Sequence, residues 1–542
     1  MKFKKLCTSL TIIVLLASTI TGCSKNESSS NPIDISYNID AIKDSEKEIV
    51  VNKFNLGSST IKERGKEIPF EIEGLIGAPK DLKDNTPVVF LFHGQHGTES
   101  KADFEDGFEY IVEKFAKNGI IAISVDDQVN HTWEYGEAVE NERIKVVMQT
   151  HLDNLMKANK GENIDYGVDL KRKVNFDNVG LVGHSVGGEG VLKLALDQQK
   201  KGFNGIKAIL SLAPAYNEFL TEFPDVPTAI LVSEYDGDVK QAGAELYQDI
   251  MAKSNRKTPI ALSYLIGGNH NSYNTVVENN REFNAPDKTN GGYPEKLTNK
   301  QQQEFTMNYT VDFIGSILKD EQPSLFDSNN PTPNTMYGYK VLNVVEDLET
   351  ETIFGPKQFK DISANKVEVK EVVESAYSEE DDSIGVFNDI QRHEKLQLLK
   401  LDWKEKNTSV KLNVSDLSKL KSSDIAGLNF KWALDSTSEL NSKDKNTSLT
   451  VTVVDNKNKK ASIKLGSDTA ALKYIEGEVV INEYLEGVFH NYWSRPTPIT
   501  DTFIPTSKLE NVDLSNIDKI IINFDEVDRG SIVLQDVSVA KK

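Results

Sequence analysis

Ser185 is the residue best placed to do chemistry. It sits in Gly183-His184-Ser185-Val186-Gly187, between a short apolar run, Val179 to Val182, and an amphipathic run with apolar residues at Val191, Leu192, Leu194 and Ala195. Strand, sharp turn, helix is the context in which G-x-S-x-G holds a nucleophile out of a sheet, beside a helix N-terminus. The flanking residues must be tiny, and the Val186 N–H is then aimed at a developing oxyanion. A serine hydroxyl is a poor nucleophile until a base takes its proton and an acid orients that base. Downstream, TAILV is followed by SEYDGDV, which offers Asp236 with Asp238 as the rival acid, and IALSYLI is followed by GGNHNSYN, which offers His270 as the base. The chain order serine, acid, histidine, each just past a strand, is the order such a site requires. The second oxyanion donor is expected in HGQHG, which follows the VVFLF run. Gln95 is the first choice and His96 the other. His93 is read as orienting that loop through its ring, and His184 as packing behind the serine. His96, His184, Trp133 and Tyr216 are candidates for the substrate pocket, with Trp133, Tyr216 and Phe219 equally readable as ordinary packing.

The elements that must position these residues alternate between strand and helix from 45 to about 320. Val88 to Phe92 is a continuous apolar run, the mark of a strand buried on both faces. Further strands are expected at 48–54, 68–76, 120–125, 208–213, 228–232 and 260–266. Helices are expected at 108–117, 140–157, 242–252 and 305–318, the second showing an apolar side at Ile144, Val147, Met148, Leu152 and Leu155. This alternation predicts a mostly parallel sheet with helices on both faces.

Ahead of that region, residues 1–22 read as a targeting segment. Lys2, Lys4 and Lys5 precede the apolar stretch Leu10 to Ala17, which ends in Ile-Thr-Gly-Cys at Cys23. Small residues directly before a cysteine resemble the bacterial lipoprotein signal, which implies lipid on Cys23 and a membrane partner on the extracytoplasmic face. Residues 23–44 read as a flexible tether. With Cys7 inside the targeting segment, no disulfide and no cysteine metal site is expected in the remainder. The formal charge of −21 argues against nucleic acid as a partner. His93 and His96 form an H-x-x-H without a nearby third ligand, so neither metal nor any other cofactor is expected.

Residues 321–335, rich in Pro, Asn and Ser, read as a linker. From 336 to 542 short alternating segments with polar turns suggest a β-sandwich. The texture of that half resembles jelly-roll, galactose-binding-like modules. Such modules bind carbohydrate through exposed aromatics, and Tyr492, Trp493 and Arg495 in HNYWSR are the one candidate platform, unless Trp493 is core. Asp525, Glu526 and Asp528 read as a solvated turn rather than a calcium site.

FHGQHG, GHSVGGEG, YDGDV and GGNHNSYN together resemble the oxyanion loop, nucleophile elbow, acid loop and histidine loop of secreted bacterial α/β-hydrolases of the cutinase, polyester-hydrolase and dienelactone-hydrolase type. The resemblance spans 88–276, with the helix near 301–318 as the fold's last. It implies an α/β-hydrolase fold, a Ser-His-Asp triad and cleavage of small or polymeric carboxylic esters without a cofactor. One departure stands out: some cutinases staple the histidine loop with a disulfide, and no such pair exists here. Two other functions stay open, an amidase or peptidase using the same triad, and a glycan-binding surface lipoprotein whose hydrolase fold is inactive.

Overall fold

The computed structural model describes residues 37–542 apart from 44, 46, 96–101, 133, 137–141, 217–219, 237, 240–241, 278–295, 328–331, 347–349, 375–377, 382–395, 416, 418, 437, 444, 476–477, 481–491 and 496–498. Its first half is built on strands β1 (Asn38–Ile39), β2 (Ile49–Glu63), β3 (Lys66–Pro79), β4 (Thr86–Phe92), β5 (Ile121–Val125), β6 (Val174–His184), β7 (Ile206–Leu212), β8 (Thr228–Tyr235), β9 (Ile260–Asn269), β10 (Thr335–Met336) and β11 (Tyr339–Glu346). They form one eleven-stranded sheet in the order β1-β10-β11-β9-β8-β7-β6-β4-β5-β3-β2. From β5 to β9 the six central strands are parallel, and β2, β3 and β11 pair antiparallel at the flanks.

Helices cover both faces. Phe90 and Phe92 of β4 pack in one apolar cluster with Ile144 of α2 (Glu142–Lys160), Val191 and Leu192 of α3 (Val186–Lys200), and Leu246 of α4 (Ala242–Lys253). Val89 and Leu91, one residue out of step, pack on the other face with Ile111 and Phe115 of α1 (Glu109–Lys117) and Phe305 of α5 (Asn299–Thr310). A strand buried on both sides has to be apolar throughout, which is why VVFLF shows no alternation. After α5 the helix continues through a wider π turn, Val311–Gly315, to Leu318. No described helix is long and apolar enough to cross a membrane.

The sheet takes in more chain than the sequence pattern assigns to it. β1 comes from the stretch read as tether (23–44) and pairs parallel with β10. The stretch read as linker (321–335) is packed down: Leu325 and Phe326 are buried in the cluster that holds Phe305 and Ile314. β11, read as the opening of the second domain at 336, pairs along β9 from Val341–Leu265 to Glu346–Ile260. The reason is edge chemistry: β9 would otherwise present unpaired N–H and C=O groups, and the apolar Val341, Leu342 and Val344 fit a covered sheet.

Beyond β11 lie two antiparallel sheets, one of six strands (Thr350–Phe354, Val367–Glu374, Leu396–Trp403, Ile425–Leu434, Thr500–Pro505, Gly530–Lys541) and one of five (Ile362–Asn365, Thr408–Asn413, Leu449–Asp455, Lys460–Leu465, Ile517–Phe524). Leu401, Phe430 and Val537 from the first share a core with Val410, Val451 and Ile522 from the second, so the sheets lie face to face. Trp403 stacks on Phe524 at 4.2 Å between ring centroids. A small third sheet includes Tyr492–Arg495, but the side chains of Tyr492, Trp493 and Arg495 lie outside the described residues. In the acidic turn, Glu526 pairs with Lys464 at 2.8 Å and Asp528 lies 3.8 Å from Lys406.

Candidate active site

The chain leaves β4 toward β5 on one side and returns through β6 on the other. This reversal opens a crevice at the carboxyl ends of β4 and β6, where open α/β sheets place their ligands. His93 and Gly94 follow β4, and Ser185 follows β6. Ser185 takes φ +57° and ψ −124°, a region that a residue with a Cβ adopts only when its surroundings force it. Here its N–H donates to the Leu212 carbonyl at 3.0 Å, and its own carbonyl accepts from Gly188 at 2.8 Å and Ala215 at 3.0 Å. The neighbouring glycines are demanded by space. A Cβ on Gly183 would stand 2.1 Å from the Gly187 carbonyl oxygen, and one on Gly187 would stand 2.4 Å from that of His93. One on Gly94 would stand 2.6 Å from Ser185 Cβ. The loop after β4 and the turn at Ser185 therefore touch backbone to backbone. Val186 opens α3, so its N–H is among the helix amides with no intrahelical acceptor. Gln95, in the loop after β4, is exposed.

His270 follows β9 and is 4% exposed. Its Nδ1 lies 2.8 Å from Asp236 Oδ2, and Asp236 Oδ1 accepts the N–H groups of Asp238 at 3.0 Å and Val239 at 2.9 Å. Asp236 is thus fixed by its own turn and holds the imidazole by one oxygen. Asp238, the rival acid, stands on the other side of the ring, 3.5 Å from Nε2, with its side chain 59% exposed. Burial disfavours the charged imidazole, but the charge and hydrogen bond of Asp236, with the charge of Asp238, outweigh it and push His270 up to about 9. His184 lies beneath, ring centroids 4.7 Å from His270, with Nε2 donating to the His270 carbonyl at 3.1 Å. Burial first, then the neighbouring His270, hold His184 well below the usual histidine range, so it stays neutral.

The sequence reading missed the residues that hold these loops. Gln302, fully buried on α5, brackets the residue before His270: its Oε1 accepts the Asn269 N–H at 2.8 Å and its Nε2 donates to the Asn269 carbonyl at 2.6 Å. No spacing signals this clamp, since Gln302 sits 32 residues on in a polar run. His93 Nδ1 bonds the Gly94 carbonyl at 2.8 Å, within the loop its ring is expected to orient. Its Nε2 faces Asp127 Oδ1 at 2.9 Å, and Asp127 Oδ2 faces His131 Nε2 at 3.2 Å. The i, i+4 spacing of Asp127 and His131 was the available clue. Burial opposes charge on both His93 and Asp127, but each one's charge stabilises the other's. His93 is held well above, and Asp127 below, its ordinary range. These three carry the donor types of a metal site. All three are buried, and Asp127 contacts both rings.

Among the pocket candidates, Tyr216 is buried in the core, with its hydroxyl 2.5 Å from Asp249, which pairs with Lys253 at 2.8 Å. It is packing rather than pocket wall. His184 likewise packs behind the site. His96, Trp133 and Phe219 lie outside the described residues, as does Cys23. A cleft lined by Lys80, Lys83, Asp84 and Thr86 opens at the amino end of β4, the edge of the sheet opposite Ser185.

No curated protein matches the sequence. Residues 77–281 match a family model described as α/β-hydrolase of unknown function, DUF915, and with the sheet, the elbow and the two following loops in place this part of the chain is an α/β-hydrolase domain.

Proposed function

We propose that the protein is a serine hydrolase of carboxylic esters, working through Ser185, His270 and Asp236. The observation that carries this is the 2.8 Å contact of Asp236 with Nδ1 of His270, on a ring packed against His184, the residue before the strained Ser185. Ser185 Oγ attacks the ester carbonyl carbon while its proton passes to Nε2 of His270. Asp236 keeps the imidazole in the tautomer that accepts at Nε2 and stabilises the imidazolium. The negative charge on the former carbonyl oxygen meets the N–H groups of Val186 and Gln95, each such donor contributing about 3 kcal/mol in the transition state. The intermediate collapses, the alcohol leaves with the proton from Nε2, and an acyl-enzyme remains. Water repeats the sequence and frees the acid and Ser185.

A fluorophosphonate probe should label Ser185, and short-chain aryl esters should be cleaved. Ser185→Ala should remove the label and lower kcat by roughly 10⁴–10⁶. Labelling and turnover that survive the substitution would discard the assignment.

We further propose that Cys23 carries a lipid that places the enzyme on the extracytoplasmic face of a membrane. Cys23→Ser should then move the protein to the soluble fraction. The two antiparallel sheets are proposed as a jelly-roll, galactose-binding-like module, with carbohydrate as the partner to test by a glycan pull-down with the full chain.

A further inference from the structure

The unusual feature of the site is that its imidazole has a carboxylate on each nitrogen. Asp236 is buried and bonds Nδ1 at 2.8 Å, while Asp238 is mostly exposed and faces Nε2 at 3.5 Å. The contact to Nε2 is too long for a hydrogen bond. Asp238 therefore acts on the ring through its charge, screened by the solvent around it, and not through a hydrogen bond. The remaining groups around the ring are neutral or turned away. His184 beneath it is uncharged and bonds only its backbone. Tyr273, against His184, spends its hydroxyl on Ser233 at 2.6 Å. Glu234 accepts the Gly267 N–H at 2.8 Å. Gln302, from α5, touches only the backbone of Asn269. The Asp238 backbone is tied to Asp236 by the same Asx turn that fixes the first carboxylate, so the two acids are presented as a pair.

We propose that Asp238 is a second carboxylate of the catalytic base: it holds Nε2 of His270 protonated in the free enzyme and thereby sets the lower pH limit of activity. This rests on the reading of Ser185, His270 and Asp236 as the hydrolytic machinery. The base must be neutral to accept the serine proton, so a charge that favours imidazolium moves the acidic limb of kcat/KM upward. The charge of Asp238 is among the causes that raise His270 to about 9, after that of Asp236. Because Asp238 is exposed, its effect should be weakened by salt, whereas that of buried Asp236 should not.

The test is the pH profile of kcat/KM on an uncharged aryl ester, for the full-length wild type, Asp238→Asn and Asp238→Ser, with fluorophosphonate labelling of Ser185 followed in parallel. Both variants should move the midpoint of the acidic limb down by about one pH unit, a roughly tenfold gain in kcat/KM well below that midpoint. One molar salt should shift the wild-type limb toward that of the variants and leave theirs in place. If Ser185 is labelled in all three proteins and the limbs coincide, Asp238 has no hold on the base and the proposal falls alone. If Asp238→Asn abolishes turnover while Asp236→Asn retains it, Asp238 is the orienting acid and the proposal is overturned. If Ser185 is labelled in none of them, the hydrolytic reading itself has failed.

Discussion

Ser185 is held in a backbone conformation that costs a non-glycine residue about 1–3 kcal/mol. Three backbone hydrogen bonds and the glycines at 94, 183 and 187 leave it no alternative. The same rigidity extends to Asp236, whose Oδ1 accepts two turn amides. Asp236→Asn should therefore leave the loop in place but present the wrong tautomer at Nε2, with kcat falling by about 10⁴. Steady-state ester hydrolysis reads this directly. Stability should carry the mark of His270 as well. Its folded position is raised, so the stabilisation is complete below pH 6.5 and is lost as pH rises through about 9. Urea denaturation at pH 6.5 and pH 9.5 should show a lower midpoint at the higher pH, and His270→Gln should reduce the difference.

Elements matter through what they hold. α5 is started by a capping box, Thr298 accepting from the Gln301 N–H while the Gln301 side chain accepts the Thr298 N–H. That start places Gln302 one residue later against β9. Gln302→Leu would leave the N–H and C=O of Asn269 buried and unpaired, a cost of about 1–3 kcal/mol. Because the loop that loses its clamp carries His270, kcat should fall more than KM rises, and thermal denaturation with kinetics on one sample separates the two effects. α2 presents the opposite case. His151 is fully buried with neither ring nitrogen bonded, and burial lowers it to about 4. It is neutral in the folded chain and takes up a proton on unfolding, so stability falls as pH drops from 6.5 to about 4. His151→Leu should stabilise the protein by up to about 1 kcal/mol and flatten that acid slope, as read by denaturant titration at pH 7 and pH 5. Stability unaltered at both would mean that the ring finds a partner in solution.

At the scale of the whole molecule, the hydrolase sheet and the following sheets share a buried seam. Ala470 and Ile475 join the apolar cluster of Tyr247, Ile250, Leu342 and Val344. Beside it Lys431, fully buried, meets Glu346 at 3.1 Å and Asp501 at 3.8 Å, while Asp501 accepts the Val345 N–H at 2.8 Å. Burial, against the pull of Lys431, raises Asp501 to about 6, and raises Asp536 nearby. One cation thus serves several acids. Lys431→Met would leave them without a counter-charge, destabilising the protein by about 3–5 kcal/mol at pH 7.5. The deficit should shrink at pH 5, where Asp501 and Asp536 are protonated, and urea titrations at both values measure it. An equal deficit at both would assign the loss to packing alone.

The chain by itself marked Ser185 and His270 as the candidate nucleophile and base, and the alternation of strands and helices around them. These are local signals: a glycine-walled turn between an apolar run and an amphipathic one, and polar loops placed just past strands. Asp236 and Asp238, two residues apart in one turn, differ only in which side of an imidazole 32 residues or more downstream they meet, and that was decided by tertiary structure. So were the Gln302 clamp, the pairing of His93 with Asp127 and His131, and the reach of the sheet into β11. Each depends on a backbone edge, a charge or a buried polar group supplied by a distant segment, and hydrophobic periodicity carries no record of such partners.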